Sequence, residues 1–217
     1  MGYNIHMYVE RQREDGSWER IPDTKAPKHP YYDPAKSADH QISFDKPRWC
    51  VVRDYTLFGR LAGIGDHEVI PIAEPKGVPN DMSLSIAEEW TTNQDCWHNA
   101  SYFNAKELLA VKDEPLRFKR YLSMKNYKEY LNTGKIKLPK NYFIWEWPKN
   151  LISNDEMERI LSLMAFWDGT EYYTDLLFER PDIKLDMHLW EKIVPAMLAI
   201  EPDPEKVRIV FWFNSTW

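Results

Sequence analysis

Histidines and cysteines are the first residues to weigh for chemistry, and here their spacing assembles no familiar motif. Six histidines and two cysteines are present, and Cys50 and Cys96 form no CxxC pair. His6, His67, His98 and His188 stand too far apart to be metal ligands by spacing alone. There is no GxGxxG, P-loop, GxSxG, HExxH or EF-hand signature. His29 and His40 lie in a proline-rich stretch and read as solvated loop residues. The most patterned histidine is His6, in MGYNIHMYVE. Tyr3, Ile5, Met7 and Val9 alternate there with Asn4, His6, Tyr8 and Glu10, which predicts a strand with one apolar face and one polar row. A histidine in such a row can hydrogen-bond a ligand or carry a proton, or it can brace the sheet. Lys76 sits beside Gly77 in a stretch broken by Pro71, Pro75 and Pro79. That stretch is a rigid connector, or a place where backbone amides approach a ligand.

The elements that must position these residues follow from periodicity. Asp15-Gly16 predicts a hairpin turn, with Ser17 to Ile21 as the return strand. Residues 22–47, with Pro22, Pro27, Pro30, Pro34 and Pro47, read as a long irregular loop. Residues 53–63 predict a short helix with Tyr55, Phe58, Leu61 and Ala62 on one stripe, ended by Gly63 or Gly65. Ser83 or Ser85 is expected to cap a helix running to about Thr92. Residues 94–103 pass from a polar loop into a short strand, and Asn104 with Glu107 approximates a capping box. Pro115 is expected to open a helix over 116–132, closed by Gly134. Residues 142–147 read as a strand or a tight aromatic segment, and Ser153 to Glu156 as a helix start. Residues 171–178 fit helix or strand, and 187–200 a helix that tolerates or kinks at Pro195. Val207 to Asn214 is a continuous apolar run, expected to be a central strand near the first one. Strands at both ends with helices between predict a single α+β domain over 1–217. Its sheet is mixed or antiparallel, with a proline-rich loop at 22–47 and a more variable helical part at 113–200.

Composition narrows the partners. Formal net charge is −6, which argues against a nucleic acid polymer or an anionic membrane surface. No apolar run approaches the ~20 residues of a membrane helix, and no basic-then-apolar leader opens the chain. Two cysteines that fit no paired zinc or redox motif suit a reducing compartment. Ten Trp, twelve Tyr and nine Phe supply a core without disulfides, most of them as filling and a few as a pocket that stacks on a flat ligand.

In order along the chain, MGYNIH, RDYTLFGRLAG, PIAEPKGVPNDMS, DCWHNASYFNAKELL and the closing RIVFWFN resemble the blocks of a phage and prophage protein family whose members begin MGCDIH. The likeness covers residues 1–21, 53–109 and 207–214. It implies a phage origin, residence in the host cell cytoplasm and a common pocket, and it brings no settled activity. His6, Arg53, Tyr55 and His98 match family positions, and Lys76 stands where the family has Arg. Tyr3 and Asn4 replace Cys and Asp, Asn99 replaces Ser, and Asn214 stands where Asp is common. An amide hydrogen-bonds but neither binds a cation nor acts as a base as a carboxylate does. The departures therefore favour binding over catalysis.

Two functions of different class follow. In the first, the protein sequesters a small nucleotide-type immune signal, a cyclic nucleotide or ADP-ribose derivative, without cleaving it. Arg53, Lys76 and Arg208 would meet phosphates, Trp97, Tyr55 or Trp90 would stack on a base, and Asn4, His6, Tyr8, His98 and Asn214 would complete the pocket. In the alternative, a phosphodiesterase or hydrolase uses His6 and His98 as an acid–base pair. A third reading is an inhibitor whose aromatics bind a host defence protein. No cofactor or metal is expected, and a homo-oligomer is left open.

Overall fold

The structure is a computed structural model that describes residues 2–27, 48–49, 55–64, 69–92, 97–136, 148–163, 169–179 and 187–216. In chain order its elements are β1 (Gly2–Gln12), β2 (Trp18–Ile21), a 3-10 turn (Asp23–Lys25), α1 (Tyr55–Ala62), α2 (Leu84–Thr92), β3 (Trp97–Asn104) and α3 (Ala105–Ala110). They continue with β4 (Arg117–Ser123), α4 (Met124–Thr133), β5 (Leu151–Ile152), α5 (Asn154–Ser162), β6 (Tyr173–Glu179), a π turn (Leu189–Ile193) leading into α6 (Val194–Ile200), and β7 (Val207–Thr216). The fold is α+β, with two sheets. By its contacts the chain gathers into two compact units, Met1–Pro115 with Pro181–Trp217, and Leu116–Arg180.

The first unit is built on a four-stranded antiparallel sheet in the order β2-β1-β7-β3. The apolar run at 207–213 is indeed central, and it lies against β1 as expected. Its residues are buried on both faces of the sheet, because a strand with neighbours on both edges and packing on both sides leaves no position for water. The β1–β2 hairpin turns through Glu14-Asp15-Gly16, with Gly16 left-handed at φ 83° and the Asp15 carboxylate accepting from the Ser17 amide at 2.9 Å.

One face of this sheet carries the larger core. Ile5, Met7 and Val9 of β1 meet Ile209, Phe211 and Phe213 of β7, and α1 lays Leu57, Phe58, Leu61 and Ala62 over them. Gly63, left-handed at φ 67°, ends α1, and its amide donates to the Gly59 carbonyl at 2.8 Å. The predicted capping box at α3 is present: Asn104 accepts from the Glu107 amide and Glu107 from the Asn104 amide. Arg60, buried, donates to the carbonyls of Val111 and Glu114 just beyond α3. The π turn before α6 accommodates Pro195, which has no N–H to give the carbonyl four residues back.

The second unit corrects the sequence reading of 116–132. Those residues are a strand and then a helix, not one helix. Phe118, Arg120 and Leu122 are buried in alternation and pair with Phe178, Leu176 and Thr174. The buried arginine hid that period-two pattern, and Pro115 imitated a helix opening. Residues 171–178, open between helix and strand, fall mostly in strand β6 (Tyr173–Glu179), which lies between antiparallel β4 and parallel β5. The variable part at 113–200 therefore holds the strands β4, β5 and β6 beside its helices. Its core gathers Leu122, Met124, Tyr127, Met157 and Leu176, with α4 ended by left-handed Gly134 as expected and α5 opened by Ser153 accepting from the Glu156 amide. Residues 142–147 and the loop at 28–47, with His29 and His40, lie outside the described residues, as do Cys50, His67 and Cys96.

Candidate functional site

Opposite residues of an antiparallel pair project to the same face, so register alone assembles the second face of the first sheet. Asn4 lies opposite Asn214, His6 opposite Trp212, Tyr8 opposite Val210 and Glu10 opposite Arg208. From the other side of β7, Trp97 joins Asn214, Tyr102 joins Val210 and Asn104 joins Arg208. The polar row read from β1 is thus one column of a wall shared by three strands. Its inner part is buried: α2 and the segment before it pack over it, bringing Ile86, Trp90, Val78 and Met82 against Tyr8, Val210 and Trp212.

At the base of this face lies a buried ion pair. The Glu10 side chain is fully buried, and its Oε2 accepts from Arg208 Nε at 2.9 Å. Its Oε1 accepts from the Ser83 amide at 2.6 Å. Ser83 or Ser85 is the expected cap of α2; the Ser83 hydroxyl makes no hydrogen bond among the described residues, and the carboxylate of Glu10 meets the helix entrance instead. Arg208 also reaches Asp81 at 2.9 Å and stacks under Trp18 at 3.7 Å, while Trp18 Nε1 donates to Asp81 at 3.0 Å. Arg208 was expected to meet phosphate. Its guanidinium is instead committed to two carboxylates and an indole face.

The next tier is Tyr8. Its hydroxyl donates to Glu89, the same carboxylate is paired with Arg20, and Arg20 lies over the Tyr8 ring at 4.5 Å. Burial, then the hydrogen bond and charge of Glu89, push the Tyr8 phenol well above its ordinary range, so it remains a donor.

Above it sits an aromatic cluster around Trp212, whose residue is 0 % exposed. Its ring centroid lies 5.0 Å from Tyr8, 5.3 Å from Trp90 in an edge-on contact, 5.8 Å from Trp97 and 6.0 Å from His6, with the His6 ring nearly parallel at 10°. His6 meets Trp97 edge-on at 4.6 Å, and Trp97 Nε1 donates to the Trp90 carbonyl at 2.9 Å. Removal from water lowers the His6 pKa, with the charge of Glu89 opposing it, so the imidazole is neutral at pH 7. The Trp212 indole N–H is buried without a hydrogen-bond partner among the described residues. At the open end of the face stand Asn4, Asn214 and Trp97, all half-buried.

His98 is elsewhere. It lies opposite Phe213, and its ring stacks on that phenylalanine at 6.3 Å and 14°, on the core face. Burial lowers its pKa as well. The cause of its placement is a β-bulge: Asn99 and Ala100 together face Trp212, and Asn99 takes the left-handed region at φ 49°, its Nδ2 donating to the Ala62 carbonyl at 3.2 Å. One extra residue turns every earlier side chain of the strand over. Trp97 reaches the His6 face because of it, and His98 leaves. An acid–base pair of His6 and His98 has no common position in which to work.

Lys76 also departs from expectation. Its ammonium pairs with Glu107 at 2.7 Å and lies over Phe103 and Tyr102 at 4.5 and 5.0 Å. The adjacent amides serve β3: Gly77 N–H donates to the Ala100 carbonyl at 2.9 Å and Lys76 N–H to Ser101 Oγ at 3.3 Å. The loop is a connector zipped onto an edge strand. Arg53 and the Tyr55 side chain lie outside the described residues. Among the described residues no three His, Cys, Asp or Glu side chains stand together as a metal site, and no helix is long and apolar enough to cross a membrane.

The structure thus brings together Asn4, His6, Tyr8, Trp97 and Asn214, with Arg208 beneath them, and separates His98 and Lys76. Trp212, Glu10, Glu89 and Arg20 also belong to this face and are not among the candidates the sequence singles out. Glu10 was legible as the next position in the polar row, whereas Trp212 was hidden in an apolar run. No family model, curated protein or solved structure matches the chain.

Proposed function

We propose that the protein binds a small nucleotide-type molecule and holds it intact. The phage-family resemblance would make it an accessory protein that sequesters a host immune signal such as a cyclic nucleotide or an ADP-ribose derivative. The observation that carries this is the end of the second sheet face, where the amides of Asn4 and Asn214 stand in register with Trp97 beside His6. Two amides supply paired donors and acceptors for a base edge, and an indole supplies a stacking surface worth about 1–3 kcal/mol per base. Neither amide can replace the carboxylate that hydrolysis would use as a base. Sequestration asks for a dissociation constant on the order of 10⁻⁹ M, about −12 kcal/mol. Titration of the purified protein with cyclic nucleotides and ADP-ribose in a calorimeter, followed by denaturation and recovery of the ligand, tests this. Heat of binding with the ligand recovered whole is expected. Absence of heat for every compound, or recovery only of cleaved products, overturns it.

A further inference from the structure

The chemistry of the same face says which part of such a ligand it can hold. We infer that the face takes the uncharged, planar heterocycle of its ligand and leaves any phosphate outside. This rests on the binding function proposed above and narrows it.

Charge is the first argument. The cations described on this face or at its edge are Arg20, Arg208 and Lys76, and each is in contact with carboxylate: Arg20 with Glu89 and Asp23, Arg208 with Glu10 and Asp81, Lys76 with Glu107. Three positive groups against five negative ones leave the described face acidic. Among the described residues, a phosphate arriving there meets net repulsion and gains a cation only by displacing a carboxylate already paired. A neutral ring meets neither obstacle.

The second argument is the hydrogen-bonding inventory. The Trp212 indole N–H is an orphaned donor inside the aromatic cluster. An orphaned buried donor is costly, and an uncharged acceptor, such as a ring nitrogen or a carbonyl, satisfies it. Trp212 is covered by His6, Trp90 and Trp97, which are half-buried side chains, so the inference requires that these turn aside to admit a ring. The nearby groups are an imidazole and two carboxamides, which read an uncharged edge.

The test is a tryptophan-fluorescence titration with adenosine, guanosine, cytidine and uridine, each beside its monophosphate and triphosphate, at about 50 and about 500 mM salt. For whichever base binds, nucleoside and triphosphate are expected to agree within about threefold, with little change between the two salt concentrations. Trp212→Phe, which keeps a ring and removes the N–H, is expected to weaken the nucleoside about tenfold with the cooperative melt retained. A triphosphate at least about tenfold tighter than its nucleoside, with affinity falling as salt rises, overturns the inference and leaves the binding function standing. Unchanged affinity in a folded Trp212→Phe also overturns it. No binding by any of the twelve compounds overturns the inference and leaves the binding function to the titration with cyclic nucleotides and ADP-ribose.

Discussion

His6 and His98 point to opposite sides of one sheet, because His6 lies opposite Trp212 and His98 opposite Phe213, adjacent residues of the same strand. With a β-sheet between them, His6 packs on Trp97 and Trp212 and His98 on Phe213, so their contributions to stability are expected to be independent. A double-mutant cycle of His6→Ala and His98→Ala should give a coupling energy below about 0.5 kcal/mol. A value above about 1 kcal/mol in urea unfolding would place them together after all.

Both histidines are shifted the same way, and this fixes the sign of a pH dependence. Burial lowers each folded-state pKa below the ordinary 6.5, so the unfolded chain binds protons more readily as pH falls. Their contribution to stability is therefore complete above about pH 6.5 and is lost progressively as pH drops from there toward the depressed folded values. Urea midpoints should fall between pH 7.5 and 5.5, and the fall should be smaller in His6→Gln. A midpoint that rises on acidification contradicts the burial.

The Glu10–Arg208 pair is buried at both ends, so removing one partner strands the other's charge. Arg208→Met or Glu10→Leu alone should cost about 3–5 kcal/mol, and the double substitution should recover much of that. Asp81 is largely exposed, and Asp81→Asn should cost about 1 kcal/mol or less. Denaturant unfolding of the four variants separates these values.

Asn99 holds the bulge in the left-handed region. Glycine adopts that conformation without strain, so Asn99→Gly should keep the register and lose only the hydrogen bond to Ala62, about 1 kcal/mol. Asn99→Val adds a β-branched residue there and should cost about 1–3 kcal/mol. The NMR contact between the His98 and Phe213 rings reports the register directly. It should persist in Asn99→Gly; its loss there would show that the side chain, not the backbone geometry, sets the bulge.

The parts of this molecule that local patterns specify were legible. Alternation in β1, the apolar run of β7, the capping box at Asn104 and the glycine stops at Gly63 and Gly134 all depend on neighbours within a few residues, and all are present. The site was legible only as the row Asn4-His6-Tyr8. What sequence could not show was set by distant partners. Arg208 and Lys76 looked free because Glu10 and Glu107 are 198 and 31 positions away. His98 looked like a partner for His6 because a one-residue bulge, which leaves no periodic trace, decides which face it joins. Residues 116–132 looked helical because a buried arginine interrupted the alternation of β4.

The most direct measurement is mass spectrometry of the small molecules released when protein purified from its expression host is denatured, compared with Trp97→Ala and Asn214→Ala prepared alike. An intact nucleotide-type compound, near one per chain in the wild type and depleted in both variants, is the predicted result. A wild-type protein that releases nothing, and takes up nothing from a host extract, contradicts a function in holding such a ligand.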